Sequence, residues 1–348
     1  MANPTMSDVA ERADVSKATV SAVINDADTV STSTRKQVRA VIDEMNYRPR
    51  ASAQRGFQSS REKSLGLIMK EVDNPYYASV IAGARAYANE CGYALLAASS
   101  EGDYDAEQQI VDVFKSKDVD GLIVVPVMDS QTDLSYLFDL KRRNFPFVLL
   151  EAIRGVQANL VDVDNAAAAR MAAEHLIGQG HERIAHFAGP GYSMHSKERV
   201  DGIRQAYSEL QLAFDSDQVV PTGARMRDGY EKGLAYFGER SEEEWPTAVI
   251  GYNDLVAIGL LRALRELEID VPGDMSVIGC DDIDLLDYLA LPLTSIHVPK
   301  RKMGRRAAEI LVRHIEADDK RSPERVRLEA HLIERQTTQA PIQESAVS

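Results

Sequence analysis

The sequence predicts two unlike parts: an all-α three-helix helix-turn-helix head, joined by a short linker to a bilobed α/β domain of two doubly wound parallel sheets. Three segments within residues 5–45 repeat apolar residues at helical spacing. From Leu65 onward, short apolar runs alternate with amphipathic helical segments, which is typical of parallel sheets with helices on both faces. This rhythm extends over roughly 280 residues, more than one hydrophobic core usually serves, so we expect two similar lobes.

The composition is that of an ordinary globular protein, but the charge is unevenly distributed. The 348 residues are 44% hydrophobic and 27% charged, and the net charge is −14. Residues 1–63 contain ten Lys or Arg and eight Asp or Glu, so this stretch carries +2 and the remainder carries −16. A slightly basic head on an acidic body favours nucleic-acid binding by the head alone.

The sequence argues against several classes of protein. It has no run of about 18 apolar residues and no apolar signal core at the N-terminus, so we expect a cytoplasmic protein without a membrane span. Cys91 and Cys280 lack C-x-x-C spacing and are interpreted as buried thiols. His181-Glu182 with His186 imitates a zinc-protease motif, but the spacing is one residue too long and overlaps a predicted strand. We therefore expect no catalytic site, no metal and no cofactor.

The head begins with two short helices joined by a tight turn at Asp14–Val15. Thr5 and Asp8 have the spacing of a capping box, and Ser16 is placed to cap the second helix. The apolar positions of the two helices are Val9, Ala10, Ala13, Val20, Val23 and Ile24. This pattern favours a helix-turn-helix, with an ordinary αα-hairpin of a small helical domain as the alternative.

The other side of the second helix is small and polar enough to enter a major groove of DNA. It carries Lys17, Ala18, Ser21, Ala22 and Asn25. A third helix follows, capped by Ser31 or Ser33, and its apolar positions are Val38, Val41, Ile42 and Met45. It should close the small core of the head.

After the head comes a linker and then the α/β rhythm. Pro49 disfavours helix at the preceding residue and ends the head, and residues 51–63 are short, polar and basic. The predicted strands are Leu65–Met69, Tyr93–Ala97, Gly121–Val125, Phe147–Leu150, Ile184–Ala188, Ala248–Gly251 and Ser276–Gly279. The predicted helices lie near 76–90, 105–117, 132–143, 165–178, 196–211, 228–238 and 254–268.

The head closely resembles the DNA-binding domain of the LacI/GalR family of bacterial transcription regulators. The residues that carry the resemblance are Asp8-Val9-Ala10, Val15-Ser16, Ala18-Thr19-Val20-Ser21, Asn25, Val30-Ser31, Thr34-Arg35 and Tyr47-Arg48-Pro49. The body resembles the family at Leu65-Gly66-Leu67-Ile68, Asn74-Pro75-Tyr76-Tyr77, Asp120-Gly121-Leu122-Ile123, His175-Leu176, Gly180-His181, Arg199, Gly202, Pro272, Val277-Ile278-Gly279, Asp281, Pro292-Leu293-Thr294 and Met303-Gly304. The match covers residues 5–336, and many ordered motifs that agree at once are a specific signal.

The resemblance implies a domain organisation. It implies a DNA-binding head at 1–50, a hinge at 51–63 that folds on operator DNA, and a bilobed effector-binding and dimerisation domain at 64–340. Independently of the resemblance, the polar and unpatterned C-terminal sequence predicts a disordered tail at 341–348. It also implies that the chain crosses between the lobes three times, and we expect the crossings near Asp164, Leu291 and Ser322. The first lobe would then be 64–163 plus 292–322, and the second 164–291 plus 323–340.

The resemblance further implies which residues of the head and hinge contact DNA. Lys17, Ala18, Ser21 and Ala22 occupy base-reading positions, with Lys17 as a donor to guanine. Thr5, Ser16, Asn25, Ser31 and Thr34 are candidates for phosphate contacts or helix caps. Ala53 fits the hinge helix, but Gly56 stands where the family places a leucine that wedges between base pairs. We expect either that Phe57 replaces this wedge or that the operator is bent less, while packing of Phe57 between linker and body is an equal alternative.

The resemblance also implies a transcription regulator, most simply a repressor, whose operator affinity depends on a small ligand between the lobes. The expected effector-binding residues follow strand ends: Asp73, Tyr76, Tyr77, Tyr192, Ser193, His195, Arg199, Asn253 and Asp281. A sugar is the favoured effector, and a purine or a protein corepressor is the alternative. The expected partners are a pseudo-palindromic operator and a second copy of the chain, in a homodimer. A solute-binding protein built on the same bilobed domain is the competing function.

Overall fold

The computed structural model describes residues 5–24, 27, 30–45, 47, 63–128, 133–153, 155–317 and 322–341. The chain divides into two compact units, residues 1–62 and 63–348. Asn25, Ala53, Gly56, Phe57, most of the expected hinge and most of the expected tail lie outside the described residues, so the predictions made for them stay predictions.

The head consists of three helices, α1 (Met6–Arg12), α2 (Lys17–Ile24) and α3 (Thr32–Glu44). The predicted capping box is present: the backbone N–H of Asp8 donates to Thr5 Oγ1, and the Asp8 carboxylate accepts from the Thr5 backbone. The turn after α1 brings Asp14 to φ 49°, in the left-handed region. The buried core residues are Val9, Ala10, Ala13, Val20, Val23, Val38 and Tyr47. Only Tyr47 among them falls outside the apolar positions that helical spacing predicts.

The second unit is a bilobed α/β domain. Its strands are β1 (Ser64–Met69), β2 (Ala94–Ser99), β3 (Gly121–Val124), β4 (Phe147–Leu149), β5 (Asn159–Val163), β6 (Ile184–Ala188), β7 (Val219–Pro221), β8 (Ala248–Gly251), β9 (Ser276–Asp281), β10 (Thr294–His297), β11 (Arg325–Leu328) and β12 (His331–Ile333). Its helices are α4 (Pro75–Glu90), α5 (Tyr104–Ser116), α6 (Ser135–Arg142), α7 (Asn165–Gly178), α8 (Met194–Glu209), α9 (Met226–Gly238), α10 (Asp254–Glu266) and α11 (Lys300–Glu316).

The strands form two six-stranded sheets that correspond strand for strand. The order is β11-β5-β4-β3-β1-β2 in the first sheet and β12-β10-β9-β8-β6-β7 in the second. Nine of the ten pairings between described strands are parallel, and the pairing of β10 with β12 is antiparallel. The predicted fold class is confirmed, with that antiparallel edge as the one departure from wholly parallel sheets among the described strands.

Two of the three expected crossings between lobes are wrong. Residues 294–297 pair with β9 in the second sheet, so the chain leaves that lobe between His297 and Lys300, not near Leu291. Residues 325–328 pair with β5 in the first sheet, so the last crossing lies between Leu328 and His331, not near Ser322. The first crossing lies at Asp164, between β5 and α7, as expected. We call the lobe that holds the first sheet and α11 the N-lobe, and the lobe that holds the second sheet the C-lobe.

Each lobe has a helix pair that packs at close range through glycines. In the N-lobe, a Cβ atom at Gly83 of α4 or Gly304 of α11 would overlap the backbone of the other helix. In the C-lobe, the same holds for Gly229 of α9 and Gly259 of α10. Because side chains are absent at the crossings, the backbones approach directly and hold the helices close against each other.

This architecture places the functional groups at one edge of each sheet. The carboxyl ends of the parallel strands of both lobes face the cleft between them, and the loops that follow β1, β4, β6, β8 and β9 line it. None of the described helices is long and apolar enough to cross a membrane.

Candidate functional site

The exposed side of α2 is the candidate DNA interface. Lys17 and Ala18 are exposed in the first turn of α2, and Ser21 and Ala22 are half-buried one turn later. Ser16 caps the helix, because its Oγ accepts from the Thr19 backbone N–H at 3.0 Å. Lys17 is therefore the cationic donor on this face, beside three small side chains.

The remaining predicted DNA contacts lie at helix N-termini. Thr5 takes part in the capping box of α1, and these hydrogen bonds lower the pKa of the exposed Asp8 carboxyl. Ser31 Oγ accepts from the Thr34 N–H at 3.2 Å and lies 2.8 Å from Thr34 Oγ1. The Thr5 and Ser31 hydroxyls act as caps, and the N-terminal ends of helices are also where backbone N–H groups attract phosphate.

Two tyrosines from the N-lobe reach the cleft. Asn74 caps α4 by accepting from the Tyr76 N–H at 3.0 Å, which fixes Tyr76 and Tyr77 in the first turn. Their rings meet edge to face with centroids 5.1 Å apart. The Tyr76 hydroxyl is directed to Met303 Sδ at 3.3 Å, and burial raises the pKa of both phenols. The pair offers apolar edges and ring faces to a ligand, not a parallel slot.

Arg199 and Asp281 from the C-lobe are buried beside each other at the cleft. The Arg199 guanidinium donates to Asn165 Oδ1 at 3.2 and 3.3 Å and to the Tyr252 carbonyl, and it stacks over the Tyr252 ring. Its Nη2 lies 3.8 Å from Asp281 Oδ1. Burial raises the pKa of Asp281 to about 6, against the opposing effect of Arg199 and Lys300. A fixed guanidinium beside a carboxylate can engage neighbouring hydroxyl groups of a ligand.

Lys70, Glu71 and Glu151 are cleft residues that the sequence reasoning missed. Lys70 Nζ forms a buried ion pair with Glu151 Oε2, and the other Glu151 oxygen accepts from Ser193 Oγ at 3.3 Å and the His195 N–H at 3.1 Å. Burial alone would raise the pKa of Glu151, but His195 and Lys70 hold it at about 2. Glu151 thus joins the lobes as an anion. The missed signal is a charged residue directly after the apolar runs of β1 and β4.

Tyr192, Ser193 and His195 follow β6 and also bridge the lobes. The Tyr192 hydroxyl donates to Glu71 Oε1 at 3.0 Å, and Met128 of the N-lobe donates its N–H to the Tyr192 carbonyl at 2.9 Å. The Ser193 hydroxyl also lies 3.0 Å from the Tyr252 hydroxyl. Together with the Glu151 bonds, these contacts hold the loop after β6 against the N-lobe.

Asp73 and Asn253 differ from the other predicted effector residues. Asp73 is largely exposed at the rim and does not line the cavity; its carboxylate lies 3.7 Å from Arg225 Nε. Arg225 also forms an ion pair with Glu101 at 2.8 Å, so it fastens the C-lobe to the N-lobe at the cleft mouth. Asn253 lines the cavity but caps α10, accepting from Val256 N–H and donating to the Ala224 carbonyl, both at 2.9 Å.

These groups surround a small polar cavity of about 40 Å³ between the lobes. The predicted residues at its walls are Tyr76, Tyr77, Tyr192, Ser193, His195, Arg199, Asn253 and Asp281. A second concavity, a groove of about 560 Å³, lies on the C-lobe between α10 and residues 289–291. Its apolar walls include Ile258, Leu261, Val271, Leu289 and Leu291. Tyr288, beside this groove in sequence, is 84% exposed.

Comparisons with known proteins match both units. Residues 5–50 match the family described as bacterial regulatory proteins, lacI family, and residues 173–338 match the periplasmic binding protein-like domain. A relative from Photobacterium profundum, the HTH-type transcriptional repressor PurR, is 34% identical over 326 residues, which cover 92% of this chain and 94% of the relative. The HTH-type transcriptional repressor PurR of Vibrio atlanticus is 32% identical, with 96% and 98% covered.

Solved structures show the same architecture over 80% or more of the chain. A complex of the transcriptional regulator CelR with cellobiose is 29% identical, covers 96% of this chain and 99% of that chain, and has a TM-score of 0.70. The lac repressor dimer bound to operator and the anti-inducer ONPF is 26% identical, covers 97% and 100%, and has a TM-score of 0.72. A LacI family regulator from Enterococcus faecium with bound ribose is 25% identical, covers 80% and 99%, and has a TM-score of 0.69.

Proposed function

Because this chain belongs to the lacI family of bacterial regulatory proteins and is a DNA-binding transcriptional repressor, we propose that a small polar ligand between its lobes controls its operator affinity. Buried polar groups from both lobes line one cavity, and this convergence supports the proposal. A ligand that contacts both lobes changes the balance between their relative positions, because it binds the two arrangements with different affinity. The family consists of transcription regulators, not enzymes.

We assign operator recognition to the exposed side of α2. Lys17 would donate to a guanine edge, Ala18 and Ala22 would meet thymine methyl groups, and Ser21 would bond a base edge. Thr5, Ser16, Ser31 and Thr34 would position the head on phosphates. The residues Asn25, Ala53 and Phe57 keep the roles that the family resemblance gives them.

A carbohydrate is the effector class that the cleft favours. Its walls offer a guanidinium, carboxylates and hydroxyls at fixed positions, which suits a ring that carries several hydroxyl groups. Tyr76 and Tyr77 meet at a right angle, so they do not form the flat slot that a nucleobase fills. Two structural neighbours are described with cellobiose and ribose. Relatives that carry the name PurR keep a purine as the second candidate.

The functional unit is a homodimer. The apolar groove beside α10 and the exposed Tyr288 ring offer apolar surface to a second C-lobe, and the lac repressor neighbour is described as a dimer on operator. A dimer places two recognition helices in successive major grooves of a pseudo-palindrome. Movement of the lobes at this interface is then the two-state step that links the ligand to the hinge and head.

A thermal-shift panel on the full chain tests the effector assignment. Mono- and disaccharides are compared with hypoxanthine and guanine, and we expect a saccharide to raise the melting temperature. Asp281→Asn should abolish that shift, whereas Asp284→Asn, an exposed carboxylate in the following turn, should retain it. A shift by a purine alone, or a saccharide shift that Asp281→Asn leaves intact, overturns the carbohydrate assignment.

Operator binding by the head is tested separately. Lys17→Ala should weaken binding to the selected operator roughly tenfold and relax the preference at one base pair, because a base-reading donor is lost. Lys302→Ala, an exposed lysine on α11, is the matched control. If Lys17→Ala and Lys302→Ala bind every operator sequence with equal affinity, Lys17 does not read a base.

A further inference from the structure

We propose that Asp162, His195 and Glu198 form a divalent-cation site that joins the two lobes beside the first crossing of the chain. The site does not depend on the effector's identity, and it changes our expectation that the chain holds no metal. One ligand atom from each of the three side chains lies within 4.8 Å of the others. Donors of a single cation bound at about 2.0–2.2 Å lie roughly 3–4 Å apart, so the three side chains need to close by about 1 Å to hold one ion.

The three residues come from both lobes: Asp162 belongs to the N-lobe, and His195 and Glu198 belong to the C-lobe. Asp162 is the fourth residue of β5 in the N-lobe, two residues before the crossing at Asp164. His195 and Glu198 stand three residues apart in the first turns of α8 in the C-lobe, so their side chains share one face of the helix. Asp162 is 7% exposed, which places the carboxylate away from competing bulk water.

His195 supplies the observation that points to a ligand. Its Nε2 atom is buried and, apart from the 3.3 Å approach to Asp162 Oδ1, has no hydrogen-bond partner among the described residues. A buried polar atom without a partner is costly and calls for an explanation. A cation that replaces the Nε2 proton and binds both carboxylates would satisfy the imidazole and remove the repulsion between two nearby anions.

The surrounding hydrogen bonds already orient the carboxylates. The Val163 N–H donates to Asp162 Oδ1 at 2.7 Å, and Asn165 Nδ2 donates to Glu198 Oε2 at 3.2 Å. Outer hydrogen bonds of this kind are what hold metal ligands in place. One imidazole with two carboxylates suits Zn²⁺, Mn²⁺ or Co²⁺ better than Mg²⁺ or Ca²⁺, which prefer oxygen ligands alone.

The test uses the tag-free full chain after treatment with a chelator. Titration calorimetry with ZnCl₂ at pH 7.5 should show one saturable site per chain. A hundredfold excess of Zn²⁺ over its Kd should raise the melting temperature by about 5 °C, whereas Mg²⁺ should not. Glu198→Gln should weaken Zn²⁺ binding at least tenfold, and Asp201→Asn, an exposed carboxylate one turn further along α8, should bind as the wild type does.

Co²⁺ gives a second readout that does not depend on stability. The wild type should develop visible absorption bands of a bound Co²⁺ ion, and His195→Asn should change them because a nitrogen ligand is lost. The proposal is overturned if no saturable binding is found below roughly 100 µM, or if Glu198→Gln and His195→Asn bind as tightly as the wild type. In the first case, His195 and Asp162 form an ion pair between a protonated imidazole and a carboxylate, without a cation.

Discussion

The two lobes share one plan but bring different chemistry to the cleft. Each lobe is a six-stranded sheet with the same strand order, and each has a helix pair packed through glycines. The N-lobe contributes the carboxylates of Glu71, Glu151 and Asp162. The C-lobe contributes the donors Tyr192, Ser193 and His195. Repetition of the fold therefore supplies the framework, and the residues after each strand supply a complementary pair of surfaces.

This complementarity has a consequence for ligand control. The hydrogen bonds from the Tyr192 and Ser193 side chains run from C-lobe donors to N-lobe carboxylates, so the lobes stabilise each other directly. A ligand that enters must offer hydrogen bonds of similar quality, or the displaced buried groups lose theirs. Selectivity then follows from how well the ligand replaces contacts that the lobes make with each other.

Loss of the Glu151 carboxylate should have the largest effect on this arrangement. Glu151→Ala leaves Lys70 buried without its partner, so we expect the free energy of unfolding to fall by about 3–5 kcal/mol in urea titrations. Glu90→Ala breaks an exposed ion pair of the same lobe with Arg305 and should have a much smaller effect, because solvent screens that pair. If Glu151→Ala and Glu90→Ala lower the free energy of unfolding by similar amounts, the buried Lys70–Glu151 pair does not stabilise the N-lobe side of the cleft.

A second N-lobe carboxylate behaves in the opposite way and gives a pH dependence. Burial raises the pKa of Glu107 to about 7, although Tyr136 and the Val127 N–H donate to it. Between pH 4.5 and 7 the folded protein keeps this proton while the unfolded chain releases it, so stability contributed by Glu107 falls as pH rises and is constant above about pH 7. Relative to Glu107→Gln, the wild type should lose up to about 3 kcal/mol over this range.

The control for this pH effect is Gln109→Ala, an exposed change without a titrating group on the same helix. Its difference from the wild type in free energy of unfolding should not vary with pH. A constant difference for Glu107→Gln as well would show that Glu107 does not hold a proton in the folded protein.

The shared framework of the lobes is tested by their glycines. Gly83→Ala in the N-lobe and Gly229→Ala in the C-lobe should each lower the free energy of unfolding by about 2 kcal/mol, because a methyl group meets the backbone of the partner helix. Gly178→Ala, at the end of α7, places the new Cβ more than 4 Å from every described residue other than its neighbours in the helix and should be neutral or stabilising. The free energies are measured by chemical unfolding. If Gly83→Ala and Gly229→Ala lower the free energy of unfolding by different amounts, the two helix pairs are not equivalent in their packing.

The contact at the cleft mouth should have the smallest effect on stability. Arg225 is half-exposed and pairs with Glu101, so Arg225→Ala should change the free energy of unfolding by less than about 1 kcal/mol. The same change removes a fastening between the lobes and should speed dissociation of the effector by about 2- to 5-fold in stopped-flow measurements. Arg227→Ala, which breaks a pair within α9, is expected to change neither quantity.

The parts of the fold predicted from the sequence are those fixed by local pattern. The head follows from apolar spacing and caps, and the seven predicted strands are the apolar runs of the two sheets. Strand β5 contains the buried Asp162 and β11 reads Arg-Val-Arg-Leu, so neither looks like an apolar run. The crossings after His297 and Leu328 depend on which strand pairs with which, and pairing is a tertiary property that periodicity does not contain.

In the candidate site, too, local sequence pattern predicts some residues, and tertiary contacts decide the others. The rule that polar residues after strands meet at one edge brings Tyr192, Arg199 and Asp281 together at the cavity. The same rule, extended to the charged residues that directly follow the apolar runs of β1 and β4, would have named Lys70 and Glu151. Asp73 obeys the rule in sequence but lies on the rim, because the direction of a loop side chain depends on its partner Arg225 in the other lobe.

The late position of α11 and β11 in the chain affects how the protein is made. Strand β5 pairs with β11 in the register Leu160 with Arg325, and the glycine side of α4 packs against α11. The N-lobe is therefore synthesised first but completed after nearly all of the C-lobe has left the ribosome. Until then the nascent chain carries an unpaired strand edge and an uncovered helix, which are the surfaces most open to misassembly during translation.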